Sequence, residues 1–252
     1  MRIIAVMNQK GGVGKTTTSI NLAHALALAG NRVFGIDMDP QGQFGLGFGV
    51  VDPITGVDDV LLSGSLLTDV RLEVRDRLWV APAGPRLSDA EHITEGGSKR
   101  GWLLKNAIDQ LPDDYDYVVI DCPPSAGLLG MNALFAADEV LIPVSGDYFG
   151  LHGLSRLMEL FGHIESALGA ELKKWVVVTR FQERRRLARD VREKLVSYFP
   201  GKVLNTSIRE TVALAESPSF TQTIFEYKAN GNGADDYRSL AEDIVLGRTI
   251  HG

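Results

Sequence analysis

The chain has 252 residues, 44% of them hydrophobic and 23% charged, which is typical of a globular protein with a buried core. No apolar run reaches the roughly 18 residues of a membrane-spanning helix, and a single cysteine, Cys122, excludes internal disulfides and cysteine-rich metal sites. A formal net charge of −6 means that any DNA binding must depend on a local basic patch. We therefore expect a cytoplasmic protein in which residues 1–252 form one domain.

Apolar, strand-like segments alternate with helical patterns along most of the chain. The predicted strands are 2–7, 32–36, 78–81, 117–120, 139–144, 175–178 and, more weakly, 202–204. The predicted helices are 16–29, 101–110, 128–137, 151–168, 187–199 and 235–245. β-Branched runs without in/out alternation are typical of parallel strands covered on both faces. The pattern predicts an α/β fold with a doubly wound, mostly parallel twisted sheet and helices on both faces, whereas the glycine-rich segment 42–97 is expected to be irregular and surface-exposed.

A glycine-rich segment lies between the first predicted strand and the first predicted helix. Its three glycines within four positions allow backbone N–H groups to turn inward and form an anion cradle. The helix that follows directs its positive end to the same place. Lys15 supplies a cation for the outer phosphates, and the Thr16 hydroxyl can bind Mg²⁺. The sequence thus predicts a P-loop, and the residues expected to hold the nucleotide are Gly11, Gly12, Val13, Gly14, Lys15, Thr16 and Thr17.

Two acidic segments follow predicted strands, where a parallel sheet binds its ligands. Asp121 ends the strand 117–120 and can hold Mg²⁺ through water; capping of the next helix is the alternative. Asp37 and Asp39 leave another strand on the same side, which is unfavourable without a nearby cation. A simple turn at Asp39-Pro40 is the alternative there. Cys122 is expected to be a small buried side chain rather than a nucleophile.

The P-loop departs from the general pattern at its start, where Gln9 replaces a glycine and Lys10 adds a second lysine. With this lysine the chain resembles the deviant Walker A ATPases, a group that contains ParA-type partition proteins, MinD, nitrogenase iron protein and arsenite-pump ATPases. Softer matches at 37–42, 121–125 and 208–219 extend the resemblance over nearly the whole chain.

The resemblance implies ATP and Mg²⁺ as cofactors and an ATP-bound homodimer in which Lys10 reaches the partner's nucleotide. It implies that Asp39 orients the attacking water and that Asp37 lies close to the metal bound by Thr16 and Asp121. The segment 208–219 would lie over the adenine. A solvated loop charge is the alternative for Lys10.

Other features favour the ParA-type branch of this group. One cysteine is too few for the iron–sulfur branches. The segment 239–248 is acidic in its middle, unlike the basic membrane helix of MinD. With Ile3 already in the first strand, we expect no separate N-terminal DNA-binding domain. The resemblance then implies slow ATP hydrolysis, stimulated by a ParB-like or cargo adaptor protein, that positions a plasmid, chromosome region or protein on the nucleoid. The alternatives are a MinD-like membrane ATPase, a metabolic amide-forming or ligase enzyme of the same fold, and a non-hydrolysing nucleotide switch.

The segment 180–194 is locally basic. It has seven arginines and lysines against three acidic residues, a local charge of +4. Such a patch binds duplex phosphates without reading sequence, although a solvated helix face is the alternative. The candidate DNA-binding residues are Arg184, Arg185, Arg186 and Arg189. By resemblance Arg184 matches a DNA-binding arginine of partition ATPases, whereas Ala213 replaces a second one.

Overall fold

One eight-stranded sheet organises the computed structural model, which describes residues 1–92, 96–146 and 154–250. The strands are β1 (Arg2–Val6), β2 (Val33–Asp37), β3 (Leu72–Arg75), β4 (Leu78–Ala81), β5 (Tyr117–Asp121), β6 (Glu139–Ser145), β7 (Lys173–Phe181) and β8 (Val203–Arg209). Their order is β3-β4-β2-β5-β1-β6-β7-β8, and only the edge pair β3–β4 is antiparallel in the described chain. The predicted mostly parallel α/β sheet is confirmed.

Helices connect the parallel strands. They are α1 (Lys15–Leu28), α2 (Gln43–Leu46), α3 (Val57–Ser63), α4 (Leu67–Val70), α5 (Leu87–Ala90), α6 (Leu103–Ile108), α7 (Leu128–Ala136), α8 (Leu154–Leu168), α9 (Arg186–Tyr198), α10 (Val212–Glu216), α11 (Ile224–Tyr227) and α12 (Asn232–Leu246). Short 3₁₀ helices cover Gly97–Trp102 and Ser217–Phe220. The last helix begins at 232 rather than at the predicted 235, and residues 151–153 of the predicted helix 151–168 lie outside the described residues.

The helices cover both faces of the sheet. Alternate residues of β1 enter two different cores: Ile3 belongs to the core that contains residues of α7, α8 and α9, whereas Ile4 belongs to the core that contains residues of α1, α2 and α12. Because each face of the strand meets a helical layer, β1, β2 and β5 are apolar along almost their whole length, which explains why no polar alternation is seen in the sequence.

The prediction for segment 42–97 was wrong over most of its described residues. This part contains α2 to α5 and the β3–β4 hairpin, and Phe44, Val57, Leu67 and Leu78 are fully or almost fully buried. Apart from β4, which was predicted at 78–81, these elements were missed because they have only four to seven residues each, too few to produce a clear helical or strand period in the sequence.

The register of the central strands brings their carboxyl ends together along one side of the sheet, which we call the carboxyl edge. Asp121 at the end of β5 is the register partner of both Val6 in β1 and Asp37 in β2. The loop from β1 to α1 leaves from the same edge. Residues that are more than 100 positions apart in the sequence therefore meet where a doubly wound sheet binds its ligand.

Candidate nucleotide and magnesium site

The predicted P-loop connects β1 to α1, and its backbone conformation requires glycine at two positions. Gly12 and Gly14 have φ angles of 72° and 86°, a left-handed conformation that residues with a side chain rarely adopt. Gly14 is the N-cap of α1 and provides no side-chain cap for the N–H groups of the first turn. These N–H groups, together with the positive end of the 14-residue helix, suit the phosphates of a nucleotide.

Buried polar side chains tie the P-loop to the neighbouring strands. Asn8 donates to the carbonyl of Pro143 at 2.8 Å and accepts from the backbone N–H of Lys10 at 3.0 Å. Thr179, at the end of β7, donates to the carbonyl of Val13 at 2.8 Å. The shape of the loop is thereby fixed at both ends through contacts with β6 and β7.

Lys15 lies in the middle of this site. Its side chain is largely buried, and Nζ donates to the carbonyl of Lys10 at 3.3 Å. Burial lowers the pKa of Lys15, while the nearby carboxylates of Asp121 and Asp39 oppose that shift. A buried ammonium group beside the P-loop N–H groups is complementary to phosphate oxygens.

Asp121 is fully buried and is held by two hydroxyl groups of α1. Thr16 Oγ1 donates to Oδ2 at 2.8 Å, and Ser19 Oγ donates to Oδ1 at 2.7 Å. Burial raises the pKa of Asp121 to about 7, although both hydroxyl donors oppose the shift. Because the one proton of Thr16 is given to Asp121, its oxygen lone pairs remain available to a metal.

Asp37 and Asp39 occupy different environments. Asp37 is fully buried and accepts from the backbone N–H groups of Asp39 at 3.2 Å and Gly45 at 3.1 Å. Burial and the adjacent Asp121 raise the pKa of Asp37 well above its usual value. Asp39 is half-buried, and its carboxylate accepts from the N–H of Gln41 at 3.0 Å. The turn that the sequence offers at Asp39-Pro40 is therefore present, and the Asp39 carboxylate is part of it.

The candidate metal-binding groups suit Mg²⁺ better than an ion that needs protein ligands on every side. Among the described residues there is no cluster of three or more His, Cys, Asp or Glu side chains that could hold a metal. Mg²⁺ usually binds to one or two protein oxygens and keeps water and substrate phosphates as its other ligands. Thr16 and Asp121, next to the P-loop, offer this kind of site.

A cleft of about 250 Å³ lies beside the P-loop. Gly14 and Thr17 line one side, and Ile208, Leu214 and Tyr237 contribute to the others. Residues 208–211, 214 and 215 of the predicted adenine segment are in the lining. The cleft therefore brings an apolar surface next to the phosphate-binding loop, as a nucleotide base requires.

The basic segment lies at the same edge of the sheet, in the turn after β7 and the start of α9. All four predicted DNA-binding arginines are exposed. Arg186 lies 3.8 Å from Asp190, and Arg189 donates to the carbonyl of Glu183 at 2.6 Å. Ala213 is half-buried on α10, close to the cleft-lining Leu214.

Sequence reasoning missed the side chains that support the site, namely Asn8, Ser19, Thr179 and Tyr237. The signal for Ser19 was weak but present, because Thr18, Ser19 and Asn21 interrupt the apolar residues of α1 and all three are buried. Cys122 is buried, and burial raises the pKa of its thiol, in agreement with the structural role expected for it. No helix in the described parts of the chain has the length and apolar character needed to cross a membrane.

Similar proteins provide an independent test of these expectations. Residues 1–174 match a family model described as an AAA domain. The chain is 41% identical to chromosome partitioning protein ParA of Myxococcus xanthus (strain DK1622), over 97% of this chain and 88% of that protein. It is 40% identical to sporulation initiation inhibitor protein Soj of Bacillus subtilis (strain 168), over 97% of this chain and 98% of that protein.

Solved structures share the fold. Cobyrinic acid a,c-diamide synthase from Mycobacterium smegmatis, with bound ADP and magnesium, has a TM-score of 0.86 and 28% identity, covering 100% of this chain and 98% of that one. A plasmid partition protein from Borrelia burgdorferi bound to AMPPNP has a TM-score of 0.83 and 25% identity, covering 97% and 98%. These bound groups agree with the cofactors expected here, ATP and Mg²⁺. Taken with the two curated relatives, the matches show that the chain belongs to the ParA/Soj family of P-loop ATPases.

Proposed function

We propose that this protein is a partition ATPase that dimerises around ATP, binds duplex DNA non-specifically as the dimer and releases it after slow hydrolysis. The observation that carries the proposal is the position of two functional surfaces at one edge of the sheet. The P-loop with its two lysines and the exposed arginines 184–189 both follow the carboxyl ends of parallel strands. A change at the nucleotide therefore occurs close to the DNA-binding surface.

Each group of the site has a role in hydrolysis that its environment suits. The P-loop N–H groups and Lys15 bind the phosphates, and Thr17 donates to the α-phosphate. Thr16, and Asp121 through water, would hold Mg²⁺, which would supply positive charge to offset the negative charge of the phosphates. Asp39 orients the attacking water, and Asp37 fixes the backbone at Asp39 and Gly45 by accepting from their N–H groups.

Lys10 is proposed to act on the nucleotide of a second subunit. The backbone N–H of Lys10 is held by Asn8 and its carbonyl accepts from Lys15, so the side chain extends from a fixed point of the loop. Two ammonium groups this close in sequence repel each other unless anions lie between them. A triphosphate in a homodimer provides these anions and thereby makes dimerisation dependent on ATP.

The DNA-binding step is assigned to Arg184, Arg185, Arg186 and Arg189. Exposed arginines contact phosphates without reading bases, and the pairing of two patches in a dimer multiplies a weak affinity. We further propose that the protein associates with the nucleoid, that a ParB-like or cargo adaptor protein stimulates hydrolysis, and that the cargo is a plasmid, chromosome region or protein.

Retention on plain duplex DNA tests this function. The Asp39→Ala variant should retain ATP and remain on DNA with MgATP but not with MgADP, because it binds nucleotide without positioning the water. Lys15→Ala is the control that should fail to bind in both conditions. DNA retention that is equal with ATP and with ADP would contradict the proposal.

Similarity to a diamide synthase supports amide formation as a second candidate function. That protein is 28% identical, whereas the chromosome partitioning protein ParA is 41% identical over 97% of this chain, so partition is favoured. The two functions differ in what stimulates phosphate release. An amide-forming enzyme needs a small carboxylic acid and a nitrogen donor, whereas the proposed function needs neither.

The last helix, α12, argues against a membrane-surface role. Tyr237, Leu240 and Ile244 of α12 are almost fully buried in the core that contains α1. The apolar face that a membrane-binding helix would present is therefore used inside the protein. Co-sedimentation with anionic lipid vesicles in MgATP would show a membrane role. The proposed function predicts that the protein does not sediment with the vesicles.

A further inference from the structure

We infer that Ser19 is a positioning residue for magnesium, acting through Asp121. Together Thr16 and Ser19 form what we term the hydroxyl clamp, two donors that hold the two oxygens of the Asp121 carboxylate. The inference rests on the proposed role of Asp121 at Mg²⁺ and adds a residue to it that makes no direct contact with metal or phosphate.

The geometry of α1 explains the clamp. Thr16 and Ser19 are three positions apart, so their side chains lie on the same face of the helix, one turn from each other. One hydroxyl reaches Oδ2 at 2.8 Å and the other reaches Oδ1 at 2.7 Å. Because each oxygen has its own donor, the carboxylate plane of Asp121 has a single preferred rotation.

Ser19 has a second acceptor within reach, the carbonyl of Lys15 at 3.1 Å. A serine hydroxyl has one proton, so it can donate fully to only one of the two groups. The contact with Oδ1 is shorter and the carboxylate is charged when metal is bound, which makes it the stronger bond. The carbonyl remains as a secondary acceptor that keeps the hydroxyl in the correct rotamer.

Loss of the Ser19 hydroxyl should affect the metal rather than the nucleotide. Oδ1 would then be a buried acceptor with its donor removed, and the carboxylate could rotate so that both oxygens compete for Thr16. The Thr16 lone pairs and the Asp121 oxygens would lose their relative orientation. Groups that orient metal ligands in this way usually change metal affinity by about 10–100-fold. The P-loop N–H groups do not depend on Ser19.

The experiment measures binding of a fluorescent ADP analogue to the full chain, as a function of Mg²⁺ concentration and in EDTA. ADP avoids hydrolysis and the proposed ATP-dependent dimer. For Ser19→Ala we expect the half-saturating Mg²⁺ concentration to rise about 10-fold, with the affinity in EDTA unchanged within about twofold. Thr18→Val is the matched control: it also removes a fully buried α1 hydroxyl, but one that contacts Tyr237 at 3.2 Å. It should keep the wild-type Mg²⁺ requirement, as should Ser19→Thr, which retains the hydroxyl.

The outcomes separate this inference from the proposed metal site. If Mg²⁺ does not increase ADP affinity in the wild type, the site at Asp121 itself is refuted. If the wild type responds to Mg²⁺ and Ser19→Ala responds equally, Ser19 has no positioning role. An equal loss of ADP affinity by Ser19→Ala with and without Mg²⁺ would mean that the residue only supports α1, and would also overturn the inference.

Discussion

Asp37 and Asp121 are register partners at the ends of the adjacent parallel strands β2 and β5, and both side chains are fully buried. Burial is the main cause that raises the pKa of each carboxyl group, and the charge of Asp121 raises the pKa of Asp37 further. Two neighbouring acids in this setting destabilise the fold once they ionise, and a divalent cation relieves that cost. We therefore propose that the site gives up stability in the metal-free protein in return for affinity towards Mg²⁺.

This exchange predicts that Asp121→Asn stabilises the protein in the absence of nucleotide and metal. The pKa of Asp121 is raised from 3.8 to about 7, so the native state loses stability as pH rises between these values. At about pH 8 the variant has no carboxyl group at this position to ionise, so it keeps the stability that the wild type loses. We expect its unfolding temperature to be higher than that of the wild type by about 2–4 °C. Mg²⁺ should no longer increase its affinity for ADP.

Thermal unfolding near pH 8 and near pH 5 measures this effect, which should be smaller at the lower pH. Asp113→Asn removes an exposed carboxylate and serves as the control with little change expected. An unfolding temperature for Asp121→Asn below that of the wild type near pH 8 would show that the ionised pair does not destabilise the fold.

Simultaneous replacement of Arg184, Arg185 and Arg186 by alanine should weaken DNA binding. Three exposed cations are removed, so the affinity in MgATP should fall and its dependence on salt should become shallower by up to about 0.9 per lost phosphate contact. DNA retention over a series of salt concentrations measures both quantities. The control replaces Lys105, Lys173 and Lys202 near the opposite edge of the sheet, with the same change in net charge. If the two triple variants weaken DNA binding equally, the arginines contribute only through the net charge of the protein, and the proposed DNA-binding patch would be contradicted.

Glu210→Gln should have the opposite effect. Glu210 accepts from Arg180 at 3.0 and 3.1 Å and from Gln182, and these donors lower the pKa of its carboxyl group. It thus neutralises Arg180, the first residue of the basic segment 180–194. The variant should bind DNA more tightly in MgATP and with a steeper salt dependence.

The same salt series, with ATP affinity measured in parallel because Glu210 also lines the cleft, tests this prediction. Glu171→Gln, an exposed glutamate near the opposite edge, provides the matched control. DNA affinity that is unchanged or lower in Glu210→Gln, with ATP affinity intact, would contradict the assignment of this edge to DNA.

The sequence was most informative where short motifs carry the chemistry. The P-loop, Asp121 and the parallel sheet could be predicted because local glycine spacing and β-branched runs specify them. Ser19 was not predicted, because its signal in the sequence is weak: its contact with Asp121 joins residues 102 positions apart, and a serine within a helix has many roles. The β3–β4 hairpin was missed in part because β3 is a four-residue edge strand without a buried position.

The central claim is that ATP joins two subunits through Lys10, and sedimentation of the Asp39→Ala variant with and without a second change, Lys10→Ala, tests it most directly. In MgATP the single variant should sediment as a dimer. The double variant should sediment as a monomer that still retains ATP, because Lys15 and the P-loop remain. A double variant that forms the dimer as readily as the single variant would contradict the account.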